Sequence, residues 1–214
     1  MKDIVIFGAG GFGREIPPLI WDINMKTPNS YRLLGYIVDQ EYWQPNTTVN
    51  GYPLLGDVEW LVAHKDSICC TIAIGKAKER EAVFRRLDAL GVEIETLISP
   101  SVYIHPTCKI GRGCYIGFRS LLSVNTDIGN GVFLNSDVML GHDLQIGDFT
   151  TIYPRATISG NCSIGSNVEI GGAAYIVPGR KVGDGAVVAA GSVVFSNVKA
   201  NIHVMGNPAK RIEL

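Results

Sequence analysis

The chain has 214 residues, 46% of them hydrophobic and only 18% charged, with a formal net charge of −1. That balance excludes a disordered chain, and without a Lys/Arg cluster a nucleic-acid or anionic-membrane partner is not expected. The N-terminus, MKDIVIFGAGG, lacks the apolar core and cleavage site of a secretory leader, no apolar run is long enough to span a bilayer, and five scattered cysteines without CxxC spacing predict free thiols in a reducing cytoplasm.

Residues 3–10, DIVIFGAG, read as a buried strand running into glycines. Gly8-Ala9-Gly10-Gly11-Phe12-Gly13 satisfies GxGxxG and precedes a helix from Arg14 to about Asn24. A second strand, Leu33–Val38, ends at Asp39, and a third, Cys70–Ile74, ends at Gly75. A helix from Lys76 to Leu90 follows, with Val83, Phe84, Leu87 and Leu90 on one face and Gly91 as its cap. A short strand, Glu95–Ile98, closes this half. Alternating β and α elements imply a small parallel sheet. Glycines at a strand-to-helix turn let backbone approach a phosphate at the helix N-terminus, and an acidic residue ending the next strand meets a ribose hydroxyl. The motif alone also fits NAD or a turn with no ligand, but the rest of the chain offers no hydride-transfer domain.

From Ile104 the pattern changes. Every sixth residue is aliphatic: Ile104, Ile110, Ile116, Leu122, Ile128, Leu134, Leu140, Ile146, Ile152, Ile158, Ile164, Ile170, Ile176, Val182, Val188 and Val194. Gly often follows, and the residue two before is small or β-compatible, as at Cys114, Thr126, Val132 and Ala156. A period of six fits neither an α-helix nor a hairpin meander. It fits a coil of short parallel strands whose aliphatics point inward and whose glycines permit tight corners. An ordinary β-sandwich would lose the phase, because its strands vary in length.

This repeat resembles the hexapeptide-repeat acyltransferases, whose left-handed parallel β-helix takes three hexads per turn and whose active sites lie in clefts between the chains of a trimer. The small glycine-turn domain in front of an unbroken repeat is similar to the sialic acid O-acetyltransferase and nucleotide-sugar N-acetyltransferase group. The resemblance implies an α/β Rossmann-like domain over residues 1–97 that holds a sugar nucleotide, then an all-β left-handed parallel β-helix with a C-terminal tail over 98–214. Carried over by motif, the substrate-binding residues are Gly10, Gly11 and Phe12 in the first turn, Val38 and Asp39 after the second strand, and Gly75 and Lys76 after the third. Relatives often carry His where this chain has Phe12, which cannot donate a hydrogen bond.

Acetyl transfer from a thioester needs a base for the attacking group and a donor for the tetrahedral oxyanion. Of four histidines, His64, His105 and His203 read as structural or surface residues. His142 ends the run Asn135-Ser136-Asp137-Val138-Met139-Leu140-Gly141-His142, at a coil corner where the resembling family keeps its catalytic base. Asp143 matches the acidic residue that orients this base, and Asn135 a nearby polar position. Relatives place a second histidine nine residues after the base, where this chain has Thr151. By position Gly160 supplies the oxyanion amide, and Gly172 and Ala190 line the pantetheine track of acetyl-CoA. Gly206-Asn207-Pro208-Ala209-Lys210 matches the family's GxPA[KR] ending. A γ-type carbonic anhydrase shares the β-helix but needs three converging histidines, so no metal is expected. The implied function is acetylation of the amino group of a nucleotide-linked amino sugar for polysaccharide biosynthesis, by a cytoplasmic homotrimer. Acetylation of a sugar hydroxyl and non-catalytic binding of a sugar nucleotide are the alternatives.

Overall fold

Strand β1 (Lys2–Phe7) buries every residue from Ile4 to Phe7, as expected of a strand covered on both faces in a parallel sheet. In the computed structural model, which describes residues 1–213, it lies at the centre of a six-stranded sheet. Beside it run β2 (Tyr31–Ile37) and β5 (Ile68–Ile72), both parallel, and β6 (Glu93–Ile94) pairs parallel with β5. The other edge is a hairpin, β3 (Thr48–Val49) and β4 (Tyr52–Gly56), with β4 parallel to β2.

Three helices connect these strands. The first begins later than the sequence suggests. Pro17 and Pro18 carry no amide hydrogen, so helical bonding cannot run unbroken from the glycine turn. Gly13–Glu15 form a 3-10 turn, and α1 spans Ile16–Lys26 with the prolines in its first turn. Helix α2 (Val58–His64) and the hairpin before it carry no clear period and were not expected. Asp57 caps α2 by accepting from the amides of Glu59 and Trp60 at 3.0 and 3.2 Å. Helix α3 (Ala77–Ala89) buries Val83, Phe84 and Leu87, whereas Leu90 falls at its C-cap and is exposed. Of the expected strand over Glu95–Ile98 only Leu97–Ile98 forms, and β6 ends just before it at Ile94.

The chain divides into two compact units, one ending at Pro100 and one beginning at Ser101. The second is a parallel β-helix of two- and three-residue strands arranged in three sheets. Ladder aliphatics pair at intervals of eighteen residues: Ile116, Leu134, Ile152, Ile170 and Val188 on one face, Leu122, Leu140, Ile158, Ile176 and Val194 on the next. All fourteen from Ile116 to Val194 are buried, while Ile104 and Ile110, in the first coil, are half-buried. Among the described residues no loop interrupts the coils.

The glycines after the aliphatics have a different role from the one expected. Gly111, Gly141 and Gly147 do not adopt a left-handed backbone. Instead, a Cβ on each would stand 2.6 Å from backbone of the next coil, too close for any side chain. The left-handed residue lies two positions later and is mostly not glycine: Arg119, Asn125, Asp137, Asp143, Phe149, Arg155, Asn161, Asn167 and Ala173 all have φ between 55° and 62°. Successive residues of this set on one corner are eighteen apart, and their side chains meet: Arg119 grips Asp137 through two bonds of 2.8 and 2.7 Å.

After the last coil, His203–Gly206 pairs parallel with Val187–Val188 and antiparallel with Ala209–Ile212, which places the GxPAK ending in a hairpin. No helix among the described residues is long and apolar enough to cross a membrane.

Candidate functional site

In the N-terminal unit the carboxyl ends of β1, β2 and β5 open onto a cavity of about 690 Å³. This is where an open α/β sheet takes its ligand. Six of the seven residues singled out as substrate-binding line it: Gly10, Gly11, Phe12, Val38, Asp39 and Gly75. The seventh, Lys76, caps α3 beside the cavity and turns its amine 3.0 Å from Glu79. The four glycines of the turn divide by function. A Cβ on Gly13 would overlap the carbonyl oxygen of Gly8, and one on Gly8 would stand 2.9 Å from the Ala73 oxygen, so both are required for the chain to close the turn. Gly10 and Gly11 face open space, which leaves their backbone bare toward the cavity. Buried Arg80 holds the loop after β5 from below, donating to the carbonyls of Ile74 and Gly75 at 2.9 and 2.8 Å.

The cavity also holds a residue that sequence reasoning missed. Arg86, on α3, donates to Asp39 Oδ1 at 2.7 Å and lies 5.5 Å above the Phe7 ring. Its contact spans 47 residues of sequence, and no local pattern announces it.

In the β-helix, His142 and Asp143 occupy one corner of the coil that carries Leu140. Nδ1 of His142 is 2.7 Å from Asp143 Oδ2, and the two side chains are about half exposed, at 53% and 48%. The other carboxylate oxygen of Asp143 accepts from Asn125 Nδ2 at 2.8 Å. The Asn125 amide and, second, the His142 ring hold the Asp143 carboxyl below its ordinary range. An ionised carboxylate can only accept, so the proton between them sits on Nδ1, and in the neutral ring the lone pair is then on Nε2. Eighteen residues on, Gly160 lies beneath the ring: a Cβ there would stand 2.6 Å from Cε1 and closer still to Nε2. The Gly160 amide has no hydrogen-bond partner among the described residues. Beside the pair runs a polar groove of about 370 Å³, lined by Asn125, Asp127, Asp143, Gln145, Asn161 and Ser163 among others.

The remaining expected site residues stand elsewhere. Asn135 lies on the preceding corner of its coil, where its side-chain oxygen accepts from the Ser136 amide at 2.7 Å and no bond joins it to His142. Gly172 and Ala190 stack on that same preceding corner, one coil apart, with Ala190 exposed. Thr151 is fully buried in its sheet, its amide bonded to Val168 O at 2.8 Å, and it presents no open surface to a ligand. No group of three or more His, Cys, Asp or Glu that could hold a metal occurs among the described residues.

Comparison with known proteins matches both units. Residues 3–87 fit the family model described as the PglD N-terminal domain, and residues 161–196 fit the bacterial transferase hexapeptide model of six repeats. The GDP-perosamine N-acetyltransferase of Escherichia coli O157:H7 is 35% identical over 125 residues, which cover 58% of this chain and 55% of that enzyme. The match therefore spans about half the length of the curated relative. Among solved structures, WeeI from Acinetobacter baumannii AYE is 30% identical with a TM-score of 0.87, covering 99% of this chain and 100% of that one. The acetyltransferase domain of PglB from Neisseria gonorrhoeae FA1090, in complex with acetyl coenzyme A, is 27% identical with a TM-score of 0.87 and covers 99% of both chains.

Proposed function

Because this chain belongs to the hexapeptide-repeat acetyltransferases that carry a PglD-type domain ahead of a left-handed β-helix, we propose that it transfers acetyl from acetyl-CoA to the amino group of a nucleotide-linked amino sugar. The observation that carries this reading is the His142–Asp143 pair, with the Nε2 edge of the ring across from the free amide of Gly160.

In this mechanism the neutral amine attacks the thioester carbonyl while Nε2 of His142 removes its proton. Asp143 balances the imidazolium that forms. The carbonyl oxygen becomes an oxyanion in the tetrahedral intermediate, where the Gly160 amide donates to it. Collapse breaks the carbon–sulfur bond, and the imidazolium returns its proton to the departing thiolate. The products are free CoA and an acetamido sugar nucleotide, an activated donor for polysaccharide assembly.

The glycine-turn cavity takes the nucleotide of the acceptor. Gly10 and Gly11 receive its phosphates, and the Asp39–Arg86 pair stands where the ribose of a nucleotide meets an acidic side chain. Gly172 and Ala190, assigned to the pantetheine, lie on a different corner from His142, as does Asn135. One chain cannot gather both corners around one acetyl-CoA, which supports a homotrimer whose clefts join a corner from each of two neighbours. Five free cysteines support a cytoplasmic setting.

The test is release of CoA thiol from acetyl-CoA in the presence of GDP-, UDP- and dTDP-linked amino sugars, with mass spectrometry of the product. GDP-perosamine, the substrate named for the E. coli relative, is the first acceptor to try. Hydroxylamine-stable product means acetylation at nitrogen, and hydroxylamine-labile product means acetylation at oxygen. Absence of thiol release with every acceptor would reject the reading.

A further inference from the structure

We propose that Asn125 is a positioning residue for the general base: it locks the Asp143 carboxylate so that His142 is protonated at Nδ1 and basic at Nε2. The inference rests on the catalytic reading of His142, and no motif in the sequence points to it.

The geometry forms a chain of bonds along one corner of the β-helix. Asn125 and Asp143 occupy equivalent places in adjacent coils, eighteen residues apart, both left-handed at φ 57° and 55°. The Asn125 backbone is pinned from below, where its amide donates to Thr107 Oγ1 at 2.8 Å. The same hydroxyl lies 3.0 Å from His105 Nδ1. From this anchored position the carboxamide donates to Asp143 Oδ1 at 2.8 Å, while Oδ2 holds His142 Nδ1 at 2.7 Å.

An exposed carboxylate with one partner rotates freely and can offer either oxygen to either ring nitrogen. Fixing one oxygen with a donor leaves the other in one place. That place is beside Nδ1, so the ring is turned with Nε2 toward Gly160. Asn suits the position twice over, since it tolerates the left-handed backbone and supplies a donor that carries no charge. An Arg there would also grip the carboxylate, as Arg119 does Asp137 on the preceding corner, but it would compete with the imidazolium for the negative charge.

The backbone dictates which variants are informative. Ala would add strain at φ 57°, whereas Asn125→Gly removes the carboxamide and keeps the backbone free. Asn125→Asp keeps the shape and replaces the donor with a second carboxylate. Asn167→Gly makes the same backbone change on a corner without His142 (φ 55°) and serves as the control. In Asn125→Gly, kcat should fall about ten-fold with KM for both substrates unchanged, the scale of one hydrogen bond to a charged group. In Asn125→Asp, the acid limb of the pH–rate profile should move to higher pH, since added negative charge favours the imidazolium. Nitrogen-15 NMR of the imidazole reads the tautomer without any turnover: wild type should be Nδ1-protonated, and Asn125→Gly should lose that preference while Asn167→Gly keeps it. An unchanged tautomer in Asn125→Gly, or an equal loss of kcat in Asn167→Gly, overturns the proposal. A wild-type protein that acetylates nothing would reject the function proposed above, yet the tautomer comparison would still decide the role of Asn125.

Discussion

His142 lies directly across Gly160, so that one added carbon on the glycine would intrude on the imidazole. The backbone of Gly160 is not left-handed and accepts alanine without strain. Gly160→Ala should therefore fold normally and melt near wild type, but with the ring pushed off its seat. Turnover should fall by roughly 10²–10⁴-fold, as though the base itself were lost. Steady-state kinetics beside a thermal melt checks both halves, and normal turnover would show that the ring need not rest there.

His142→Ala should lower turnover by the same order, roughly 10²–10⁴-fold. Its side chain is half exposed at a corner and contributes nothing to the aliphatic ladders, so circular dichroism should be unchanged. A folded variant with near-normal turnover would remove His142 from the mechanism.

Asp143 gives a prediction with a definite sign. Its folded-state pKa lies below the ordinary value of 3.8, through the Asn125 amide first and His142 second. Any stability it contributes is thus present above the ordinary carboxylate range and is lost only as pH falls through the depressed value. Between about pH 5 and 8 it stays an anion, so an acid limb of the rate profile in that window belongs to another group. Asp143→Asn should lower kcat less than His142→Ala does and should move the limb to lower pH rather than abolish it. Disappearance of the limb in Asp143→Asn would contradict this.

The glycine turn separates binding from stability. Gly11→Leu points into open space and should weaken the sugar nucleotide at least ten-fold by calorimetry, leaving acetyl-CoA affinity and the melting temperature intact. Gly13→Ala, whose Cβ would overlap Gly8 O, should instead lower the melting temperature of the N-terminal unit. If Gly11→Leu binds both ligands normally, the cavity is not the nucleotide site.

The β-helix was legible because its signal repeats: sixteen aliphatics in one phase leave a single regular solution. The hairpin at Thr48–Gly56 and helix α2 were not, since each is too short to establish a period, although Asp57 ahead of Val58 is a capping signal. Glycine's reputation for turns pointed to the wrong corner residue. What Gly141 supplies is closeness to the next coil, while Asp143 and its equivalents take the left-handed backbone. Arg86 and Asn125 were missed for different reasons. The partner of Arg86 is fixed only by the packing of α3 against the end of β2. The partner of Asn125 follows from the coil length alone: counting eighteen back from Asp143 reaches it.

The eighteen-residue closure also governs how such a chain can change length. Adding or deleting six residues between Asn125 and Leu140 would keep every aliphatic inside, yet it would carry the His142 corner, with Gly160, round to a different edge of the prism from Asn125. The fold would survive, and Gly160 would still meet His142, but the bond from Asn125 to Asp143 would be lost. Only whole coils can be gained or lost without rotating one part of the column against another, and only where they do not part His142 from the residues that meet it. Insertions in this architecture are quantised, with a smaller quantum for folding than for catalysis.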